Sequence, residues 1–189
     1  KDRYLSNPKK PNIFVTNAIV FEGPEDYHKR LNSKKLNIDE NSILIVRGCG
    51  PVGYPGSAEV INMQPPDRLL KKGINTLPTL GDGRQSGTSA SPSILHVSPE
   101  SAIGGDLGIV KTGDQIKIDL NKRRVDLLIP QTEFKIRRKK RKFFKFNNQT
   151  PWQEIFRDTV GQLEDGACIK SRGIYLKVST SKGIPRDSH

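Results

Sequence analysis

The chain has 189 residues, 33% of them hydrophobic and 28% charged, enough for one ordinary domain with its own core and hardly enough for two. It carries a formal charge of +12 and two cysteines, Cys49 and Cys168. No apolar run approaches the ~18 residues needed to span a bilayer, and two thiols can build neither a disulfide framework nor a self-contained zinc or iron–sulfur site. The start, Lys1-Asp2-Arg3-Tyr4, has no initiator Met and no signal-like apolar stretch. The expectation is a soluble chain from a reducing compartment that begins part-way through a longer one.

Residues 1–17 are polar and broken by Pro8 and Pro11, as in a lead-in segment or the remnant of an interdomain connection. Ala18-Ile19-Val20-Phe21 predicts a short buried strand, stopped by Gly23-Pro24, with a short helix over Glu25–Leu31. Ile43-Leu44-Ile45-Val46 predicts a second buried strand, because four consecutive apolar residues rich in β-branching suit a sheet interior. The glycines and prolines between Gly48 and Gly56 exclude regular structure there. Pro66–Lys72 then reads as a helix opened by proline and closed by Gly73.

A strand near Thr76–Leu80 leads into a second glycine-bearing turn, Gly81-Asp-Gly-Arg-Gln-Ser-Gly-Thr-Ser89. Ile116, Ile118 and Leu120, then Val125, Leu127 and Ile129, alternate with polar residues on either side of a polar turn, which predicts an antiparallel meander. Thr150-Pro151-Trp152-Gln153 has the spacing of a capping box. The helix that follows gathers Ile155, Phe156, Val160 and Leu163 on one face, which should dock on the body. The predicted architecture is a mixed β-barrel-like domain with peripheral α-helices, divided as a barrel over 18–133, a basic linker over 134–149, a docking helix over 150–166 and a tail over 167–189.

The charge is local. Residues 135–145 hold eight cations and no acid, and taking those eight away leaves +4 on the rest of the chain. Beside Phe143, Phe144 and Phe146 such a run could neutralise phosphates and stack bases; the alternative is a solvated linker. His28, on the expected solvent side of its helix, and His96, beside Ser98-Pro99, read as structural.

Two loops hold residues with chemical potential. In Asp82-Gly-Arg-Gln-Ser-Gly-Thr-Ser89, serines between glycines are exposed by a tight turn, and neighbouring N–H groups can converge on an anion. The other reading is a turn in which Asp82 and Ser86 satisfy local backbone groups; no His or Lys stands near as an activating base. Glu59, just past the first glycine loop, offers the oxygen donor a hard cation prefers, or else a solvated cap on the next turn.

Six blocks in order carry a resemblance: Gly50-Pro-Val-Gly-Tyr-Pro-Gly-Ser-Ala-Glu59, Asp82-Gly-Arg-Gln-Ser-Gly87, His96-Val-Ser-Pro-Glu100, Gly104-Gly105, Gly113-Asp114-Gln-Ile-Lys-Ile-Asp119 and Leu127-Leu-Ile129. From about Ala18 to Ile129, with an echo over 150–166, the chain resembles the C-terminal domain of the dihydroxy-acid and sugar-acid (aldonate) dehydratases. That resemblance implies the swivelling β/β/α barrel type of this domain. It implies an N-terminal domain, in cis or as a separate chain, that holds an iron–sulfur cluster (2Fe-2S or 4Fe-4S) acting as Lewis acid on the departing 3-hydroxyl.

By the same resemblance Ser86 is the general base, Glu59 the domain's ligand to Mg2+, and Thr88 and Ser89 approach substrate oxygens. Neither cysteine matches a cluster ligand, so the chain alone is expected to be inactive. A small sugar-acid or dihydroxy-acid substrate, a homo-oligomer, a cytoplasmic or mitochondrial site and no membrane or nucleic-acid partner are also implied. Branched-chain enzymes of the family commonly read Asp-Gly-Arg-Phe-Ser-Gly-Gly in this loop. Gln85 and Thr88 favour the aldonate branch, since Gln85 would add hydrogen bonds toward a polyol. Ser57-Ala58 stands where the family usually has Met-Pro. The rival readings are a branched-chain dihydroxy-acid enzyme, or a truncated non-catalytic module whose basic run 135–145 binds nucleic acid or a partner.

Overall fold

The computed structural model describes residues 12–56, 59–85, 91–141, 144, 146, 150–171 and 173. Its centre is β1 (Ile13–Glu22), which begins five residues before the strand expected from Ala18. The two halves of β1 use opposite edges: Ile13–Asn17 pair antiparallel with β7 (Gln115–Asp119), and Asn17–Glu22 pair parallel with β2 (Ser42–Arg47). The β-branched and aromatic run Ile13-Phe14-Val15-Thr16 is the local signal for the first half.

Parallel pairing continues from β2 to β4 (Thr79–Gly81) and from β4 to β6 (Ser93–Ile94). On the far side β7 pairs antiparallel with β8 (Arg124–Leu127), which is the expected meander, with Ile116 opposite Leu127 and Ile118 opposite Val125. The result is a mixed six-stranded sheet in the order β6-β4-β2-β1-β7-β8. Such a sheet with helices around it suits a barrel-like domain.

The continuous apolar run of β2 is explained by burial on both faces. Leu44 and Val46 join Ile19, Phe21, Tyr27, Met63 and Leu77 on one side, while Ile43 and Ile45 join Ala18, Val20, Leu80, Ile116 and Ile118 on the other. The first face is covered by α1 (Pro24–Arg30) and the short α2 (Asp67–Leu70). Pro24 opens α1 at its first turn, and Asp26 pairs with Arg30 one turn on. Tyr27 packs edge-on against Phe21 at 5.3 Å between ring centres.

The basic run departs from expectation. Instead of a linker, residues 131–140 form the ten-residue helix α3 (Gln131–Lys140). Gln, Glu, Lys and Arg are strong helix formers, and cations in the last turn suit the helix dipole. Glu133 and Arg137 are one turn apart and bond at 2.7 Å, and Arg137 also reaches Asp114 at 2.5 Å. Its side chain is only 12% exposed, so one cation of the run anchors the helix to the body. The rings beside the run also lie on the protein: Phe144 packs on Gly48, and the Phe146 ring sits 4.9 Å from the Arg157 guanidinium.

The capping box forms as expected, with the Thr150 side chain and the Gln153 backbone N–H at 3.3 Å and the reciprocal bond at 3.2 Å. The helix it opens, α4 (Pro151–Thr159), does not dock through the full apolar face expected of it. Val160 is buried and Phe156 half-buried, but Ile155 is 54% exposed and Trp152 70%. Polar contacts hold this end instead, as described below. No helix among the described residues is long and apolar enough to cross a membrane.

Candidate active site

β2 and β4 are parallel neighbours, so the chain leaves both at the same end of the sheet, where ligand crevices form in open α/β sheets. Each exit is one of the glycine loops singled out from sequence. Between them lies Asp82, fully buried, whose carboxylate accepts from the backbone N–H groups of Gly48 at 3.1 Å, Cys49 at 2.9 Å and Ser101 at 2.9 Å, and from the Ser101 hydroxyl. The alternative reading, in which Asp82 satisfies local backbone groups, is corrected for this residue: its donors belong to other segments. It ties three segments remote in sequence, because a buried carboxylate must find donors and the nearest belong to the neighbouring loop.

Glu100 is the second fully buried acid. It accepts from the N–H groups of Val52 at 2.9 Å and Gly53 at 2.8 Å and from the Gln162 amide at 2.7 Å. Gly50 is required by this approach, since a Cβ there would stand 2.5 Å from the Glu100 carboxylate. Gly48 is required twice over: its φ is +78°, and a Cβ would meet the Phe144 ring at 2.5 Å. Glu100 appeared in the sequence only as the end of a motif. The signal for it is an acid followed by a small-residue turn, which does not reveal what the acid faces.

The two loops meet again one step further out. β3 (Glu59–Ile61) and β5 (Arg84–Gln85) form a separate parallel pair in which Glu59 stands opposite Arg84. Their side chains bond at 2.9 Å and are 44% and 48% exposed. Ser86, Thr88 and Ser89 lie outside the described residues, as do Ser57 and Ala58. The structure therefore brings Glu59 beside the strand that leads into Ser86.

Gln85 differs from expectation. It is buried, and its amide donates to the Thr79 hydroxyl at 2.9 Å, which in turn bonds Ser93 at 2.8 Å. In this two-residue strand Arg84 is exposed, and the period-2 alternation sends Gln85 inward. Its amide nitrogen is spent on the fold, and its carbonyl oxygen is buried without a hydrogen-bond partner among the described residues.

Among the described residues no cluster of three or more His, Cys, Asp or Glu side chains forms a metal site. For Mg2+, Glu59 is a hard oxygen donor held, among the described residues, by an exposed ion pair, which fits one ligand of a set completed elsewhere. For an iron–sulfur cluster the chain does not fit. Burial, with Asp82, Glu25 and Glu100 adding like charge, pushes the Cys49 thiol from 9.0 up to about 12, against the thiolate a cluster needs. His28 and His96 are both exposed.

The Cys49 environment yields a test. A thiol reagent at neutral pH is expected to modify the half-buried Cys168 in the native protein and Cys49 only after unfolding. The unfolded Cys49 thiol ionises near 9.0, while the folded one keeps its proton to about 12. Its contribution to stability is thus complete below 9.0 and lost as pH rises toward 12, which denaturant titrations across that range will read.

The parallel strands of this mixed sheet deliver two glycine loops to one end, where Glu59 stands opposite Arg84. A family model, "Dihydroxy-acid/6-phosphogluconate dehydratase C-terminal", matches residues 6–167, and the chain belongs to that family. It is 52% identical over all 189 residues to a D-xylonate dehydratase of Caulobacter vibrioides, covering 31% of that protein. Over 116 residues (61% of the chain) it is 48% identical to 20% of an L-arabinonate dehydratase of Rhizobium leguminosarum. Over 132 residues (69% of the chain) it is 37% identical to 22% of a mitochondrial dihydroxy-acid dehydratase of Aspergillus fumigatus. The chain thus spans a third or less of the length of these relatives.

Proposed function

We propose that this chain is the C-terminal, substrate-side domain, of swivelling β/β/α type, of an iron–sulfur- and Mg2+-dependent hydro-lyase that converts an aldonate into a 2-keto-3-deoxy acid. The observation that carries the reading is the parallel pairing of Glu59 with Arg84, which sets the carboxylate matched to a Mg2+ ligand on the strand beside the segment entering Ser86. The full-length likeness to a protein named D-xylonate dehydratase supports the aldonate class.

In this reading Ser86 removes the proton from C2, beside the substrate carboxylate. The electron pair left behind forms the C2–C3 double bond as the 3-hydroxyl departs and takes up a proton to become water. The enol then tautomerises to the keto acid. A serine hydroxyl is a weak base, and Mg2+, when bound, supplies the positive charge that lowers the cost of its alkoxide. Glu59 would hold Mg2+ as one of its ligands, its exposed ion pair with Arg84 giving way to the cation. That exchange costs little, because exposed ion pairs contribute about 0–1 kcal/mol. Thr88 and Ser89 approach the substrate oxygens.

The remaining Mg2+ ligands and all cluster ligands belong to an N-terminal domain, in cis or as a separate chain, and the assembly is a cytoplasmic homo-oligomer. This chain alone is accordingly inactive. The test is a substrate panel on the complete iron-loaded enzyme. D-xylonate and L-arabinonate are expected to yield 2-keto acids, detected as semicarbazones, with a branched-chain 2,3-dihydroxy acid turned over far more slowly. The reverse order would overturn the aldonate assignment and favour the branched-chain reading.

A further inference from the structure

The buried hub that joins the two glycine loops is also gripped from the C-terminal segment. Glu100 and Ser101 are adjacent in sequence. Ser101 shares Asp82 with Gly48 and Cys49, while Glu100 holds the N–H groups of Val52 and Gly53. Gln162, just past α4, grips Glu100 on both sides: its amide donates to the carboxylate at 2.7 Å, and its carbonyl oxygen accepts from the Glu100 N–H at 3.0 Å. From α4 itself, the Arg157 guanidinium donates to the Val52 carbonyl oxygen at 3.0 Å. Val52 is thus held at its N–H by Glu100 and at its C=O by Arg157.

This arrangement accounts for the polar docking of α4. From α4 the Arg157 guanidinium reaches the backbone of the loop that runs on to Glu59, besides lying against the Phe146 ring. We infer that Gln162 and Arg157 are positioning residues that act through Glu100 and Val52 to fix the Gly48–Gly56 loop, and with it the Mg2+-facing placement of Glu59. The inference rests on the proposed Mg2+ role of Glu59. Neither side chain is required to touch Mg2+ or substrate.

The choice of side chains follows from the chemistry. A neutral amide can donate to a buried carboxylate and accept from the same residue's N–H, which neither an acid nor an apolar side chain can do. Gln162 is half-buried, so its replacement leaves Glu100 with both loop N–H donors and does not orphan the charge.

The experiment is a calorimetric Mg2+ titration of the complete, iron-loaded polypeptide after removal of Mg2+, with Tm recorded in parallel. Gln162→Leu is expected to raise the Mg2+ dissociation constant by about tenfold, as loss of an outer partner of a metal ligand does. Arg157→Gln should move it in the same direction and serves if Gln162→Leu does not fold. Thr150→Ala removes the cap of α4 without touching the clamp, so it should lower Tm and leave Mg2+ binding unchanged.

If Gln162→Leu and Arg157→Gln lower Tm as Thr150→Ala does and leave the Mg2+ isotherm unmoved, the residues are merely structural and the inference falls. Glu59→Gln separates the two levels. If it too leaves Mg2+ binding unchanged, the ligand role of Glu59 fails. If it weakens binding while the clamp variants do not, only the positioning inference fails.

Discussion

Replacing Ser86 by Ala in the complete two-domain enzyme is expected to abolish dehydration, lowering kcat by about a thousandfold or more, with iron content unchanged. A positioned general base contributes typically ~10²–10⁴-fold, and the described neighbours offer no substitute. His96 is exposed and on a different segment, and the only lysine or arginine in the Asp82–Ser89 loop is Arg84, whose guanidinium has no lone pair with which to accept a proton. Iron should be retained, since the cluster ligands are proposed to lie in the N-terminal domain and a serine hydroxyl is far in chemistry from a thiolate ligand. Iron assay together with initial rates checks the outcome. Retained turnover would remove Ser86 from the base role.

The second large effect concerns stability, not chemistry. Asp82→Ala takes away the acceptor for the Cys49 and Ser101 backbone N–H groups and the Ser101 hydroxyl in a fully buried place, while the Gly48 N–H keeps the Ser101 hydroxyl oxygen at 2.9 Å. Each buried donor left without a partner costs about 1–3 kcal/mol. Even with partial relaxation, the loss is expected to be about 3–5 kcal/mol, at the upper end for a single substitution. Urea denaturation of the domain reads it directly. Asp82→Asn should be only partly better, because its amide nitrogen turns one accepting oxygen into a donor facing other donors. A change below about 1 kcal/mol would mean that water or a neighbouring carbonyl replaces the carboxylate, and the hub would lose its structural weight.

What was legible in the sequence was local. β2 announced itself because burial on both faces demands an unbroken apolar run, and the meander because one buried face demands alternation. The capping box of Thr150 and Gln153 is written within four residues and formed as read. What depended on distant partners was not legible. A run of cations looks like a solvated connection until Asp114 is found beside Arg137, and ten residues then prove helical. The first half of β1 has a local signal in Ile13-Phe14-Val15-Thr16, but it stands in a polar, proline-broken stretch and its partner, β7, lies a hundred residues away.

The site divides in the same way. The loops were recognisable from their residue types, and the structure brings Glu59 to the strand before Ser86. Asp82 and Glu100 are another matter. Their importance comes from full burial against backbone donors of other segments, which no local pattern encodes. Gln85 shows the converse. Its type suggested a substrate contact, but the alternation of a two-residue strand turned it inward to Thr79.

The split pairing of β1 also has a consequence for synthesis. Thr16 and Ile116, partners across β1 and β7, are 100 residues apart in sequence. Ribosomes add about 5–20 residues per second, so half of the central strand waits roughly 5–20 s with one edge bare while the parallel strands on its other side can already assemble. Pairings this distant are slow to find and leave strand edges open to other chains in the meantime. The nascent domain is therefore most vulnerable to aggregation after β4 has emerged and before β7 has, and a chaperone that shields strand edges would matter most during that interval.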